Sequence, residues 1–246
     1  MSVQHSPSVL NRTKSENYMA DQQLWYVENI DLSNLFCPTK VEMGMLNDRN
    51  HLSFEANQYV YLPDEPARKI FLINSGRIKI GTYGADGKEI TKAILTPGEV
   101  FGELALINDG NRRDFAYTLE GTELCVLEKS DLNGMLRERS ELQLFFMRLI
   151  GNRTIKLEQR LENLMFKTSR SRITEFLHQL ATERGRAVGF EREVRNMLTH
   201  KEIADLTGTS RQTVNAVLND LRRQNIITFD RKRLLVRDMD QLLSAK

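Results

Sequence analysis

Short runs of β-branched and aromatic residues alternate with turn-forming residues through the segment 51–129. Asp86-Gly87 separates two of these runs, and an Asp-Gly pair between alternating strands is a strong β-hairpin signal because both residues tolerate positive φ. No long helical stretch interrupts the series, so the pattern predicts an antiparallel sandwich or jelly roll. The predicted strands cover residues 58–62, 69–74, 77–82, 90–95, 115–118 and 123–128.

The pattern becomes helical after Ser130, with Ser130 or Asp131 as the candidate cap. Apolar residues then recur at alternating intervals of three and four, which is the a/d pattern of a short coiled coil. A second apolar face of the same helix comprises Leu142, Phe145, Phe146 and Leu149. Two faces predict a helix that packs on its own roll and on a second copy; burial in a monomer core is the alternative. The predicted dimer interface comprises Met147, Ile150, Thr154, Leu157, Leu161 and Leu164.

Two segments precede the roll. Residues 1–23 are polar and show no apolar period, so we expect a flexible arm. Residues 24–36 carry apolar side chains at helix-like intervals, with Asp31 and Ser33 as candidate caps. This second segment predicts a short helix that covers an edge of the core.

The most specific motif of the chain lies in residues 199–218. Thr199 and Glu202 have the spacing of a capping box, which starts a helix. Ala204 is small where a second helix must cross, and Gly208 can supply the left-handed turn between the two helices. Thr209 or Ser210 can cap the second helix, whose expected buried residues are Val214 and Leu218. These spacings predict a helix-turn-helix.

The outer face of the predicted second helix carries side chains of the types that read base edges, because Arg pairs with guanine and Asn or Gln with adenine. The candidate base-reading residues are Ser210, Arg211, Gln212 and Asn215. A basic turn between two apolar runs, residues 226–229 and 234–236, predicts a hairpin wing that contacts phosphates. The candidate phosphate contacts are Thr199, Lys201, Thr209, Thr213, Arg231, Lys232 and Arg233. We therefore expect double-stranded DNA as the partner.

The whole-chain charge hides this basic character. The formal net charge is only +2, which alone gives no reason to suspect a nucleic-acid partner. Residues 168–246, however, contain 15 Lys and Arg against 10 Asp and Glu, and the preceding residues contain 20 against 23. The basic excess of +5 therefore lies in the segment that carries the helix-turn-helix.

Several other classes of protein are not indicated. No stretch is long and apolar enough for a membrane span or a signal peptide, so we expect a cytoplasmic protein. Cys37 and Cys125 are two lone cysteines without a CxxC pair, which predicts no zinc or iron–sulfur site and a reduced compartment. His51 is the only histidine of the roll segment, so an enzyme of the cupin type lacks its metal ligands. We expect no catalytic residue, no metal and no certain cofactor.

Three segments resemble signatures of the CRP/FNR family of bacterial transcription regulators: residues 71–78, the cassette 97–106 and the hinge 163–166. The resemblance covers about 51–236 and implies an α+β chain. Its expected parts are an N-terminal β-roll of the cyclic-nucleotide-binding type (24–135), a long dimerisation helix with a hinge (136–166) and a C-terminal winged helix-turn-helix (167–246). It also implies a homodimer that binds a pseudo-palindromic site and contacts RNA polymerase.

The resemblance places a candidate effector pocket at Gly102, Glu103, Leu104, Arg112, Arg113 and Asp114. In cAMP-responsive relatives the cassette glutamate holds the ribose and an Arg-Ser or Arg-Thr pair holds the phosphate. Glu103 and Arg113 match this pattern, whereas Asp114 puts a carboxylate where the phosphate is expected, which opposes cAMP by like-charge repulsion. An internal ion pair between Glu103 and Arg113 is the structural alternative.

The effector is therefore left open by the sequence. A regulator that responds to cAMP or cyclic di-GMP is one alternative, and a nucleotide-binding regulatory subunit that acts through protein contacts is another. Cys37 is either a redox-sensitive thiol or a small buried hydrophobe. In the recognition helix Arg211 matches the best-known members, while Gln212 and Ala216 replace a Glu and an Arg, which predicts an altered half-site.

Overall fold

The fold is described from a computed structural model, which covers residues 32–36, 51–107 and 110–245. The predicted arm at 1–23, most of the predicted helix at 24–36 and Cys37 lie outside the described residues. The last turn of that helix is present as α1 (Leu32–Phe36), which packs against two strands of the roll. Phe36 is fully buried there, so this helix end covers the core edge as expected.

Two four-stranded antiparallel sheets form the roll. The strands in chain order are β1 (His51–Phe54), β2 (Tyr59–Tyr61), β3 (Lys69–Ser75), β4 (Ile78–Tyr83), β5 (Glu89–Leu95), β6 (Val100–Phe101), β7 (Phe115–Thr118) and β8 (Thr122–Glu128). One sheet has the order β1-β8-β3-β6 and the other β2-β7-β4-β5. The antiparallel roll is thus confirmed, and the predicted strands agree with the observed ones to within one residue at each end. The strands β1 and β6 were not predicted, and β6 has only two residues.

The inner faces of the two sheets form the core of the roll. Phe71 of β3 stacks on Phe101 of β6 with ring centroids 4.8 Å apart, and both side chains are buried. The Asp86-Gly87 turn joins β4 to β5 as expected: the Gly84 N–H donates to the Lys88 carbonyl, 2.8 Å away, and Gly87 has a φ of 75°.

Two helices follow the roll, α2 (Lys129–Glu138) and α3 (Ser140–Phe166). The prediction that Ser130 or Asp131 caps the first of them is wrong, because α2 begins at Lys129 and Glu128 occupies the cap position without a side-chain hydrogen bond. Arg139 is extended and breaks the helix, so residues 136–138 belong to α2 rather than to the long helix. No helix within the described ranges has the length and apolarity needed to cross a membrane.

The long helix α3 has the two apolar faces that the sequence indicates. Leu142, Phe145, Phe146 and Leu149 are buried. The a/d row is largely exposed instead, with Met147 at 63%, Leu157 at 53% and Leu161 at 62%. Leu164 ends that row beside Gly208, where an added Cβ would lie 2.5 Å from its Cδ2.

The C-terminal part is a winged helix-turn-helix. Its elements are α4 (Ser169–Arg184), β9 (Arg186–Val188), β10 (Glu191–Arg195), α5 (His200–Thr207), α6 (Arg211–Arg223), β11 (Ile227–Phe229), β12 (Arg233–Val236) and α7 (Met239–Ser244). The wing strands belong to a four-stranded sheet of order β11-β12-β10-β9. The β9–β10 hairpin was not predicted, because its short strands are rich in charged residues and lack an apolar alternation.

Local signals set the geometry between α5 and α6. Thr199 and Glu202 form the complete capping box, and Gly208 adopts the left-handed conformation with φ 63° and ψ 42°. Of the two candidate caps for the second helix, Ser210 is the one that accepts a backbone hydrogen bond. Val214 and Leu218 are fully buried. The helix-turn-helix prediction is therefore confirmed.

Cys125 corrects the expectation of two lone, reduced cysteines. Its side chain is fully buried in β8 and is disulfide-bonded. This disulfide was not foreseen, because the sequence has no CxxC pair or other cysteine spacing that indicates one.

Candidate DNA-binding interface and effector pocket

The first turns of α6 present the candidate base-reading residues. Arg211, Gln212 and Asn215 are exposed. Ser210 is occupied in another way: its Oγ accepts a hydrogen bond from the Thr213 N–H at 3.0 Å and lies 2.8 Å from the Thr213 hydroxyl. The hydroxyls of Ser210 and Thr213 therefore fix the start of the helix, and the three longer side chains are presented to solvent.

A polar row extends along α6 beyond the predicted residues. Asn219 donates through Nδ2 to the Asn215 carbonyl at 2.9 Å and to Asn215 Oδ1 at 3.1 Å. Arg222 in turn donates to Asn219 Oδ1 at 2.8 Å. Asn215 thus has its side-chain oxygen engaged and its amide N–H groups left to donate. Sequence reasoning missed Asn219, although its spacing of four from Asn215 places it on the same helix face.

The turn of the wing is organised by Asp230. Its Oδ1 accepts from the backbone N–H of Lys232 at 2.7 Å and of Arg233 at 3.0 Å, and its Oδ2 lies 3.0 Å from Arg233 Nε. These hydrogen bonds, the one from Lys232 above all, lower the pKa of the Asp230 carboxyl. Arg231 and Lys232 are exposed at the tip, as phosphate contacts require.

Glu193 of β10 gathers arginines next to the wing. Its Oε2 accepts from Arg186 Nε at 2.7 Å and from Arg195 Nε at 3.2 Å, and its Oε1 lies 3.9 Å from Arg233. The hydrogen bonds from Arg195 and Arg186 lower the pKa of Glu193. Arg233 is thus shared between Glu193 and Asp230, which leaves it a weaker phosphate contact than Arg231 and Lys232.

The remaining candidate phosphate contacts lie around α5. The Thr199 hydroxyl accepts from the Glu202 N–H at 3.2 Å in the capping box. Lys201 pairs with Asp205 at 2.7 Å, and this hydrogen bond raises the pKa of the lysine. The Thr209 hydroxyl lies 3.0 Å from that of Thr207. These three groups all have partners within the chain.

A cavity of about 320 Å³ occupies the position of the candidate effector pocket. Glu103 is buried in its wall and forms an ion pair with Arg153 of α3 at 2.5 Å. Arg153 also donates to the Val100 carbonyl at 2.5 Å. The alternative of a Glu103–Arg113 pair is therefore wrong. Arg113 is exposed, and the partner comes from a helix about fifty residues further on, where no sequence signal marked it.

The two adjacent arginines of the candidate effector pocket have different surroundings. Arg112 is buried, with its guanidinium 4.2 Å from the centre of the Tyr61 ring. It donates to the carbonyls of Gly102 at 3.1 Å and Lys69 at 2.5 Å. Burial lowers the pKa of this guanidinium. Arg112 is therefore a structural residue of the roll, and Arg113 is the cation that lines the cavity with its charge exposed.

Asp114 faces the cavity as a buried carboxylate. Its Oδ2 lies 3.3 Å from Lys92 Nζ of β5, and its Oδ1 accepts from the Tyr61 hydroxyl at 3.4 Å. Burial, followed by the charge of Asp114, raises the pKa of Tyr61. The negative charge of Asp114 is thus already balanced from within the chain.

Comparison with known proteins agrees with this arrangement. The family model described as "Cyclic nucleotide-binding domain" matches residues 51–139, and the "Crp-like helix-turn-helix domain" matches residues 171–245. The "CRP-like cAMP-activated global transcriptional regulator" of Mycobacterium tuberculosis is 30% identical over 78% of this chain and 85% of that protein. The "Global nitrogen regulator" of a Nostoc species is 29% identical over 75% of this chain and 83% of its own length. Among solved structures, a mutant of CooA from Carboxydothermus hydrogenoformans superposes with a TM-score of 0.69 and 27% identity, over 79% of this chain and 86% of that one.

The chain belongs to the CRP/FNR family of transcription regulators. It is a DNA-binding regulator of that type and not an enzyme. The cavity has Glu103 and Arg113 at the positions expected from cAMP-responsive members of the family. It has Asp114 at the position where those members have Ser or Thr. Its cassette glutamate is already paired with Arg153.

One arginine joins the parts of this CRP/FNR chain. Arg160 of α3 donates to the carbonyls of Thr91 at 2.8 Å and Lys92 at 3.4 Å, both in β5 of the roll. Its other terminal nitrogen donates to the Asp205 carbonyl of α5 at 2.7 Å. Burial lowers the pKa of Arg160. Arg77 adds a second link, since it lies 3.4 Å from Glu120 of the roll and 3.5 Å from Glu202 of the capping box.

The ion pair in the cavity wall gives a prediction about stability. We expect Arg153→Met to lower the free energy of unfolding by about 3 kcal/mol, because the buried Glu103 loses its partner. The double variant Glu103→Gln/Arg153→Met should lose less, since it leaves no charge buried. Urea denaturation followed by circular dichroism measures both.

Lys156→Met is the matched control on the same helix. Lys156 forms an exposed pair with Glu183, and such pairs contribute about 1 kcal/mol or less. Equal stability of Arg153→Met and Lys156→Met would contradict a buried ion pair at Glu103.

Proposed function

We propose that the chain acts in the cytoplasm as a homodimer that binds a pseudo-palindromic DNA site, contacts RNA polymerase and responds to an effector other than cAMP. The observation that supports this most directly is the start of α6, where Arg211, Gln212 and Asn215 are exposed on a helix fixed by its cap and its buried face. Regulators of this architecture insert the start of that helix into the major groove.

Each of the three exposed candidate residues at the start of α6 has a proposed task. Arg211 suits a bidentate contact with the O6 and N7 atoms of guanine. Gln212 and Asn215 suit adenine or water-mediated contacts, and the amide N–H groups of Asn215 are the ones left to donate. Arg231 and Lys232 of the wing suit the neighbouring phosphates, which set position without reading sequence.

Dimerisation is proposed through the exposed a/d row of α3. Met147, Leu157 and Leu161 are each more than half exposed, whereas a second apolar face in the first part of the helix is buried. A second copy of the same row would remove these apolar surfaces from water. Two paired helices would also place two recognition helices about 34 Å apart, one turn of DNA.

The cavity supports an effector that is not cAMP. The M. tuberculosis relative is named as cAMP-activated, but here Asp114 stands where the phosphate is expected. Lys92 and Tyr61 already satisfy this carboxylate, and Arg153 already satisfies Glu103. A cyclic nucleotide would therefore have to break internal contacts and place its phosphate near a carboxylate.

The coupling between pocket and DNA is proposed to run through β5 and the hinge. Lys92 pairs with Asp114 in the cavity wall and offers its carbonyl to Arg160, which holds α5 through Asp205. The long helix ends at Phe166, and the extended Lys167 follows it. An effector that displaces Lys92 would bias the angle between roll and winged domain at this point.

Base reading by Arg211 predicts a selective loss of affinity. We expect Arg211→Ala to weaken binding to a selected operator about tenfold to a hundredfold, since one bidentate contact provides about 1–3 kcal/mol of discrimination. Binding to mixed-sequence duplex DNA should change much less. Fluorescence anisotropy titrations with duplexes selected by the wild-type protein from a random library measure both affinities.

Arg231→Ala is the control for that measurement. A phosphate contact should weaken binding to both duplexes alike and lower the slope of log K against log salt by about one. A loss of equal size on operator and mixed-sequence DNA in Arg211→Ala would contradict a base-reading role for Arg211.

The a/d row predicts the oligomeric state. We expect the wild-type chain to sediment as a dimer and Leu161→Glu to sediment as a monomer, because the substitution places a charge from each copy in the apolar a/d row. Ile155→Glu is the matched control, since Ile155 is also half exposed but lies off the row. Dimers of unchanged stability in Leu161→Glu would exclude this interface.

The pocket predicts that cAMP does not control DNA binding. We expect equal operator affinity with and without saturating cAMP at each salt concentration tested, because Asp114 opposes the phosphate. An Asp114→Ser variant restores the hydroxyl and serves as the comparison. An increase in operator affinity of the wild-type chain on addition of cAMP would refute this assignment.

A further inference from the structure

His200 lies between the recognition helix and the wing. It is the first residue of α5 and follows Thr199, the cap of that helix. Its imidazole packs edge-on against Phe229 of β11, with ring centroids 5.8 Å apart. Arg211, at the start of α6, is close enough for its charge to act on the imidazole. Sequence reasoning gave this histidine no task.

The charges around His200 are set by the elements packed against it. From α6, Arg211 acts on the imidazole directly, and Arg222 lies over the Phe229 ring at 5.1 Å. From its own helix, Lys201 is paired with Asp205, and Glu202 is engaged by Thr199 and Arg77. Asp230 follows Phe229 but is bound to Lys232 and Arg233. A cation therefore dominates, and burial followed by Arg211 lowers the pKa of His200.

Bound DNA would change the charge around His200 from positive to negative. Arg211 is a base-reading candidate and Thr199 and Lys201 are phosphate candidates, so a duplex bound by these residues passes beside His200. A phosphate there brings negative charge to an imidazole whose protein neighbour is positive, and an opposite charge favours the protonated form. Protonated imidazole has two N–H donors, and charge-assisted hydrogen bonds to phosphate are strong.

We infer that His200 is a DNA-phosphate contact that takes up a proton when the winged domain binds a duplex. The inference rests on the proposed DNA contacts of α6 and adds a pH dependence to them. Burial and Arg211 hold the pKa of His200 below its ordinary value in the free protein, and a neighbouring phosphate raises it in the complex. Affinity should therefore rise as the pH falls through the pKa of the complex, and the gain should end below the pKa of the free protein.

The test is the slope of log K against pH for the wild-type chain and for His200→Gln. We expect the wild-type slope between about pH 5.5 and 8 to be steeper than that of His200→Gln by up to about one proton per protomer. His200→Arg, which carries a permanent charge, should show the shallow slope of His200→Gln. Anisotropy titrations at constant ionic strength on a selected duplex and on a mixed-sequence duplex provide the data.

His178→Gln is the matched control, because His178 lies on α4 of the same domain and should leave the slope unchanged. Equal slopes for wild type and His200→Gln on both duplexes would overturn the inference. A phosphate contact needs no base reading, so the slope difference is expected on mixed-sequence DNA as well. If the slope of log K against pH differs between wild type and His200→Gln while the wild-type chain binds all duplexes with equal affinity, the inference stands and the proposed sequence specificity fails.

Discussion

The guanidinium of Arg160 forms hydrogen bonds that connect three parts of the molecule. It donates to two carbonyls of β5 and to one of α5, while its own backbone belongs to α3. Secondary structure fixes the positions of these carbonyl acceptors, so the planar guanidinium favours the observed arrangement of strand and helices. The partial burial of this cation is offset by these hydrogen bonds. Roll, long helix and winged domain are therefore held in a defined orientation, on which any transmission between pocket and DNA depends.

Local pairing decides how the basic excess of the winged domain can act. Glu193 and Asp230 lie next to the wing and hold arginines by hydrogen bonds, and Asp205 holds Lys201. Such pairs reduce the long-range field but fix the side chains in place, which lowers the entropy lost on contact with a phosphate. The charge count in the sequence therefore locates the DNA-binding domain. The charge count does not show which of these cations are paired, because the pairing depends on the folded structure.

The parts that could be predicted from sequence are those encoded locally. The capping box of Thr199 and Glu202, the left-handed Gly208 and the strand alternation of the roll each depend on neighbours within a few residues, and all were found. The parts that were missed depend on contacts across the fold. Arg153 reaches Glu103 from another element, and no sequence motif around Cys125 marks its disulfide bond. Spacing rules contain no information about such pairs, because tertiary packing alone brings them together.

The strand β5 contacts both the wall of the cavity and Arg160. The replacement of a hydroxyl by Asp114 in the cavity therefore leaves the connection to Arg160 intact. Lys92 turns its side chain toward Asp114 and its carbonyl toward Arg160. In a pocket that binds a phosphate, the anion belongs to the ligand, whereas here Asp114 supplies an anion from the chain itself. Lys92 therefore connects Asp114 of the cavity to Arg160 without a ligand. A ligand acts on this arrangement only if it prefers the state in which Lys92 is released, since an effector shifts an equilibrium by its differential affinity alone.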